Sequence, residues 1–133
     1  TCEVVPGVTS AVSVPAAAGI PVTQRGVTHS FTVVSGHLAP DDPRSLVDWE
    51  ALARVGGTVV VIMGVRQAPA IAETLQRVLP AATPAAVVQE GETDRQRHFH
   101  TTLGALAETM ARENITNPAV YVIGEVAGLA HAG

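Results

Sequence analysis

The 133-residue sequence contains no lysine: its eight basic residues are all arginine, set against twelve acidic residues for a formal net charge of -4. No basic run is present, so the chain lacks the electrostatic footprint of a nucleic-acid binder. Aromatic residues make up 3% of the sequence, too few to furnish stacking platforms for a single strand. A single cysteine, Cys2, excludes an internal disulfide and fits a reducing, cytoplasmic setting. No apolar run reaches the roughly 18 residues that a membrane-spanning helix requires, so no membrane partner is expected. The usual catalytic signatures are also missing: there is no GxSxG, no P-loop and no paired-cysteine motif. His98 and His100 flank Phe99 and share one face of a strand, but no third ligand accompanies them, so no metal site is expected.

What the chain does have is an aliphatic interior. Hydrophobic residues account for 47% and charged residues for 15%, the balance of a globular domain, and the length suits one domain over 1–133. "GVTSAVSVPAAA" (7–18) predicts a helix capped by Thr9 or Ser10 and interrupted by Pro15. Residues 29–37, rich in β-branched side chains, predict a strand. Residues 45–55 predict a helix capped by Ser45, with apolar positions 46, 49, 52 and 53 on one face. "GGTVVVIMG" (56–64) is a continuous apolar strand buried on both faces. A helix over 66–79 follows, with Pro69 in its first turn. Next come a strand at 83–91, a polar turn, an edge strand at 97–103, a helix at 103–113 and a buried strand at 117–126. Five strands with helices between most of them predict an α/β domain. Its sheet should be mixed but mostly parallel, flanked by helices, with one antiparallel hairpin.

Three of these strands end in glycine, in "VVSGH", "VVIMG" and "VVQEG". Ligands of open α/β sheets bind beyond the carboxyl ends of strands, and glycine there lets a ligand approach the backbone. Glycine after a strand is more often a plain turn. His37 and Met63 sit at these ends, and Arg25 lies in a loop. From the residues alone, each reads as a solvated loop residue or, for Met63, as core packing.

Taken in order, "EVVPGVTSAVSVPAAAGIPVTQRG", "FTVVSGH", "VVVIMGV", "TPAAVVQEG" and "NPAVYVIGEV" resemble the carboxyl-terminal half of the uroporphyrinogen-III C-methyltransferases, a group of tetrapyrrole methyltransferases. The resemblance covers nearly the whole chain, and "PGVTSA", "GIPVTxR" and the later "MG" are its specific parts. It implies a two-domain, homodimeric enzyme that methylates uroporphyrinogen III to precorrin-2, a step that opens both sirohaem and cobalamin routes. S-adenosyl-L-methionine would lie in a cleft between an amino-terminal domain, absent from this sequence and expected to carry the main catalytic groups, and the domain seen here. The fragment alone is then expected to be inactive. By the same resemblance Thr9 and Ser10 contact the cofactor, Met63 meets its nucleoside part through the backbone, and Gly91 and Ala119 add backbone contacts. Arg25 and His37 fall on the tetrapyrrole side. Gln24 stands where the family usually has histidine; it can hydrogen-bond but not titrate. The alternatives are another tetrapyrrole or corrin-ring methyltransferase on the same fold, or a non-catalytic binding or assembly domain, since no complete acid–base set is present.

Overall fold

A computed structural model describes residues 1–129. Residues 1–9 run exposed into the first helix, α1 (Ser10–Ala17). Thr9 is extended there, and its hydroxyl accepts a hydrogen bond from the Ala11 amide at 3.2 Å. Pro15 is accommodated inside this short helix, which ends at Gly19 in the left-handed region. Then follow β1 (Phe31–Ser35), α2 (Trp49–Val55), β2 (Thr58–Ile62), α3 (Ala68–Leu75), β3 (Pro84–Gln89), β4 (Arg97–Thr102), α4 (Leu106–Arg112) and β5 (Ala119–Ile123). Short 3-10 turns at Leu103–Ala105 and Glu125–Gly128 complete the described chain. Pro69 occupies the first turn of α3 as its sequence position predicts, since its missing N–H would have no helical partner there.

One helix start differs from expectation. α2 begins a turn later than Ser45, because the Asp48 carboxylate takes the cap and accepts from the Ala51 amide at 2.9 Å. Ser45 closes a local turn with the Val47 amide instead, at 3.4 Å. Leu46 therefore lies outside the helix and is 99% exposed, not part of its apolar face.

The five strands form one mixed sheet in the order β1-β2-β5-β3-β4. The expectation of a mixed sheet with flanking helices and a hairpin holds, and β4 is at an edge, but the sheet is not mostly parallel. Only β1 and β2 pair in parallel; β2 with β5, β5 with β3, and β3 with β4 are antiparallel. The crossover connections do keep β1, β2 and β3 pointing one way. The β3–β4 hairpin then reverses the chain, and α4 returns it so that β5 points with β4. β5 slots between β2 and β3, which converts what would have been a parallel neighbour pair into two antiparallel ones.

Strict alternation in the three central strands builds two cores. Val59 and Val61, Ala85 and Val87, and Ala119, Tyr121 and Ile123 face α2, α3 and α4, where Trp49, Ile71, Leu75, Leu106 and Met110 close over them. Val60, Ala86, Val88, Val120 and Val122 face the other way, against α1, Ile20, Val22 and Val126. Burying each Val or Leu contributes about 1.5–3 kcal/mol, so the uninterrupted valine runs are what hold the sheet between its layers. The Tyr121 hydroxyl, buried with its ring, donates to the Gly64 carbonyl at 3.0 Å, and burial pushes its pKa well above the ordinary value.

Candidate functional site

Because β1, β2 and β3 point the same way, their carboxyl tips share one end of the sheet with the start of β5. On the α1 side these tips border a hollow of about 970 Å³. Its apolar floor is Val14, Ile62, Val88 and Val120, a continuation of the α1-side core that the short helix leaves uncovered. Four of the residues singled out in the sequence line it together: Ser10, Met63, Gly91 and Ala119. Thr9 adjoins the wall as the cap of α1, its hydroxyl committed to the Ala11 amide.

Backbone strain gathers at this rim. Met63 has φ 54° and Glu90 φ 49°, both in the left-handed region that side chains rarely adopt, and each follows directly on the end of β2 or β3. Each such position costs on the order of 1 kcal/mol, and strain of this kind clusters where a ligand needs the main chain turned toward it. Met63 is also 60% exposed, which rules out core packing as its role.

The glycines that follow β1, β2 and β3 are also sterically required. A side chain at Gly36 would meet the Gly64 Cα at 2.8 Å; one at Gly64 would meet the Tyr121 hydroxyl at 2.7 Å; one at Gly91 would meet Val14 at 2.6 Å. None of the three has a positive φ. At all three, neighbouring strands and α1 already fill the space a side chain would need.

A side-chain brace holds the start of β5 in place. Arg97 donates to the Gln89 side-chain oxygen at 2.5 Å and to the Glu113 carbonyl at 3.0 Å, while the Gln89 amide donates to the Thr116 hydroxyl at 3.0 Å. The Glu90 amide bonds the Pro118 carbonyl at 2.9 Å. The segment 113–118 is thereby fastened to β3 and β4 just before Ala119 enters the floor.

His37 and Arg25 lie outside the lining. His37, exposed at the tip of β1, shares a 2.8 Å hydrogen bond between Nδ1 and the Ser35 hydroxyl. Its tip is laced to that of β2 by the Gly36 amide, which donates to the Ile62 carbonyl at 2.8 Å. Further along the same loop the Arg44 side chain grips Asp42 through two hydrogen bonds of 3.0 and 2.8 Å, and its amide adds a third. Together they hold the carboxyl down at about 2. Arg25 lies on a turn closed between Gln24 and Thr28, whose Val27 and Thr28 line a separate hollow of about 380 Å³ at the opposite end of the sheet. The structure does not bring Arg25 to the larger hollow.

What sequence reasoning missed is the turn after β3. Glu90, Glu92, Thr93 and Arg95 line the hollow, and Arg95 is the one cation among its described lining residues. Five polar residues directly beyond a strand tip were the available signal. The same two histidines that share a face of β4 touch edge to face, with centroids 5.7 Å apart, and His100 bonds the Ala127 carbonyl. No group of three metal-ligating side chains occurs among the described residues. None of their helices is long and apolar enough to cross a membrane.

The fold is an α/β domain in which strand tips and the start of one helix border a common hollow. The chain belongs to the tetrapyrrole (corrin/porphyrin) methylases, whose family model matches residues 1–107. It is 44% identical to the S-adenosyl-L-methionine-dependent uroporphyrinogen III methyltransferase of Methanosarcina barkeri, covering 96% of this chain and 50% of that protein. It is 45% identical to a sirohaem synthase of Chromobacterium violaceum, over 96% of this chain and 27% of that one. Among solved structures, the uroporphyrin-III C-methyl transferase of Thermus thermophilus complexed with S-adenyl homocysteine matches at 37% identity and a TM-score of 0.77, over 96% of this chain and 54% of that one. The chain spans about half the length of the methyltransferases it matches, and about a quarter of the sirohaem synthase.

Proposed function

We propose that this chain supplies one half of the cofactor and substrate cleft of an S-adenosyl-L-methionine-dependent methyltransferase that converts uroporphyrinogen III to precorrin-2. The observation that carries the reading is that Ser10, Met63, Gly91 and Ala119, far apart in sequence, border one hollow. Its volume, about 970 Å³, and its apolar floor with polar groups on one side suit a nucleoside-sized ligand. S-adenosyl-L-methionine, when bound, supplies an electrophilic methyl group on a sulfonium.

The chain's own residues bind, orient and exclude water. Val14, Ile62, Val88 and Val120 present a dry wall, against which a sulfonium that loses its charge is better accommodated at the transition state than before it. The left-handed tips at Met63 and Glu90 offer main-chain groups at fixed positions, and the Arg97–Gln89–Thr116 brace keeps Ala119 in register with them. Methyl transfer needs acceptor, methyl and sulfur in line, and rigid tips preserve that alignment. His37 stands on the tetrapyrrole side in this reading, because its tip adjoins that of Met63. Val8, 83% exposed on the rim, together with Val4 and Val5, suits an apolar covering that a further domain provides. A homodimer, the acid–base groups and turnover belong to that larger assembly, and the 133 residues alone are expected to be inactive.

The test is methylation of uroporphyrinogen III by the full-length protein with S-adenosyl-L-methionine, read by mass spectrometry, beside calorimetry with S-adenosylhomocysteine. Methyl gain together with cofactor binding supports the reading. Cofactor binding with methylation of a corrin and not of uroporphyrinogen III overturns the substrate. Absence of cofactor binding overturns the function.

A further inference from the structure

Tyr121 is the largest of the fully buried side chains, and the next largest are all aliphatic. It stands on β5 in the three-helix core, among Val59, Val61, Ala85 and Val87, where phenylalanine would pack without a polar atom to satisfy. Its hydroxyl reaches past the end of β2 and donates to the Gly64 carbonyl at 3.0 Å. Gly64 is itself buried, and among the described residues no other donor meets that carbonyl. Burial favours the neutral phenol, so the hydroxyl keeps its proton throughout the ordinary pH range.

What this bond fixes lies on the other side of the sheet. Met63, directly before Gly64, has φ 54° and lines the hollow, whereas Tyr121 does not. A methionine in the left-handed region persists there only when its surroundings over-determine it. The carbonyls of the residues before and after it are both held. The Gly36 amide donates to the Ile62 carbonyl at 2.8 Å, and the Tyr121 hydroxyl donates to that of Gly64. Sideways movement is blocked as well: a Cβ at Gly64 would lie 2.7 Å from the Tyr121 hydroxyl, and one at Gly36 would lie 2.8 Å from the Gly64 Cα. Without the hydroxyl, the Gly64 carbonyl is buried with no donor, a cost the tip relieves by turning.

Resting on the cofactor reading above, we propose that Tyr121 is a positioning residue for methyl transfer: from the opposite face of the sheet its hydroxyl clamps the Met63–Gly64 tip and keeps the Met63 main chain turned toward the hollow. The phenol acts through the backbone and touches no ligand. Tyr121→Phe keeps the ring and removes only the hydroxyl. Leu106→Ala disturbs the same core more strongly without touching the clamp, and so serves as the control.

The full-length protein and both variants are compared by hydrogen exchange of the unliganded peptide covering 62–66, by calorimetry with S-adenosylhomocysteine and by steady-state methylation. Tyr121→Phe is expected to exchange faster at 62–66 and to bind S-adenosylhomocysteine about fivefold more weakly, as loss of one buried hydrogen bond predicts. Its KM for S-adenosyl-L-methionine should rise by a similar factor with kcat nearly unchanged. Leu106→Ala, although the less stable variant, is expected to stay within about twofold of the original in affinity and in exchange at 62–66. Unchanged exchange at 62–66 in Tyr121→Phe overturns the proposal, since the tip is then held without the phenol. Equal weakening by Leu106→Ala also overturns it, because general softening of the core then accounts for the loss. If the unaltered protein binds S-adenosylhomocysteine and Tyr121→Phe binds it as tightly, the cofactor reading stands and this one falls. If the unaltered protein does not bind it, both fall.

Discussion

The two faces of the sheet are built from the same valine-rich strands but finished differently. On one face α2, α3 and α4 lie side by side and bury Trp49, Ile71, Leu75, Leu106 and Tyr121 almost completely. On the other a single eight-residue helix covers the centre and stops short of the strand tips. It leaves the hollow at one end, and Phe31 and Val33, 41% and 42% exposed, on the outer strand. Since alternating side chains of the same strands feed both faces, the difference comes from the connections and not from the sheet. The closed face buries the larger core; the half-covered face carries the hollow.

That contrast breaks if disturbing the closed face disturbs the site equally. Leu106→Ala removes a fully buried side chain from the three-helix side, away from the hollow. It is expected to cost about 2–5 kcal/mol in denaturant unfolding while S-adenosylhomocysteine affinity, measured where the variant is folded, stays near the original. Gly91→Ala should affect both. Its new Cβ presses on Val14 of α1, so about 1–3 kcal/mol of stability is lost and cofactor affinity falls with it, because α1 is displaced from the hollow. A Gly91→Ala protein that loses stability but keeps its affinity would show that the two faces are not functionally distinct.

The smallest effect sharpens the comparison through pH. Tyr121→Phe removes one buried hydrogen bond to Gly64, about 1 kcal/mol near neutrality. Burial raises the Tyr121 pKa above its ordinary 10.0, so the fold favours the neutral phenol. That contribution is complete below pH 10 and is lost as pH rises toward the folded value, because only the unfolded chain ionises freely. Tyr121 is the one tyrosine in the sequence, so phenolate absorbance reports on it alone within this chain. The unaltered chain should ionise only as it unfolds, and the phenylalanine variant should show less stability loss in that range.

Much of the sheet was legible from the residues. Runs such as "TVVVI" and "AVYVI" announce strands buried on both sides, and "RHFHTT" announces an edge by mixing polar and apolar positions. Lateral order was not legible, because a valine strand looks the same whichever neighbour it pairs with; β5 between β2 and β3 is set by where α4 can return the chain. The start of α2 was misplaced because Ser45 and Asp48 are both good caps, and only the folded loop shows that the carboxylate reaches an amide. At the site, Ser10, Met63, Gly91 and Ala119 came from motif resemblance, and the structure brings them together. Arg25 came the same way and stands on a distant turn. Glu90 and Arg95 were passed over because charged residues in a short turn look solvated until the tip they follow is seen to border a hollow.

The interlocked tips have an evolutionary consequence. Space that a side chain at residue 36 would need belongs to residue 64, space at 64 belongs to the phenol of residue 121, and space at 91 belongs to residue 14. Substitutions along these links should be inherited in matched sets, a gain of bulk at one place accompanied by a loss at its neighbour. Among descendants of this sequence, pairwise correlation between 14 and 91, and between 64 and 121, should exceed that between either pair and the helices on the far side.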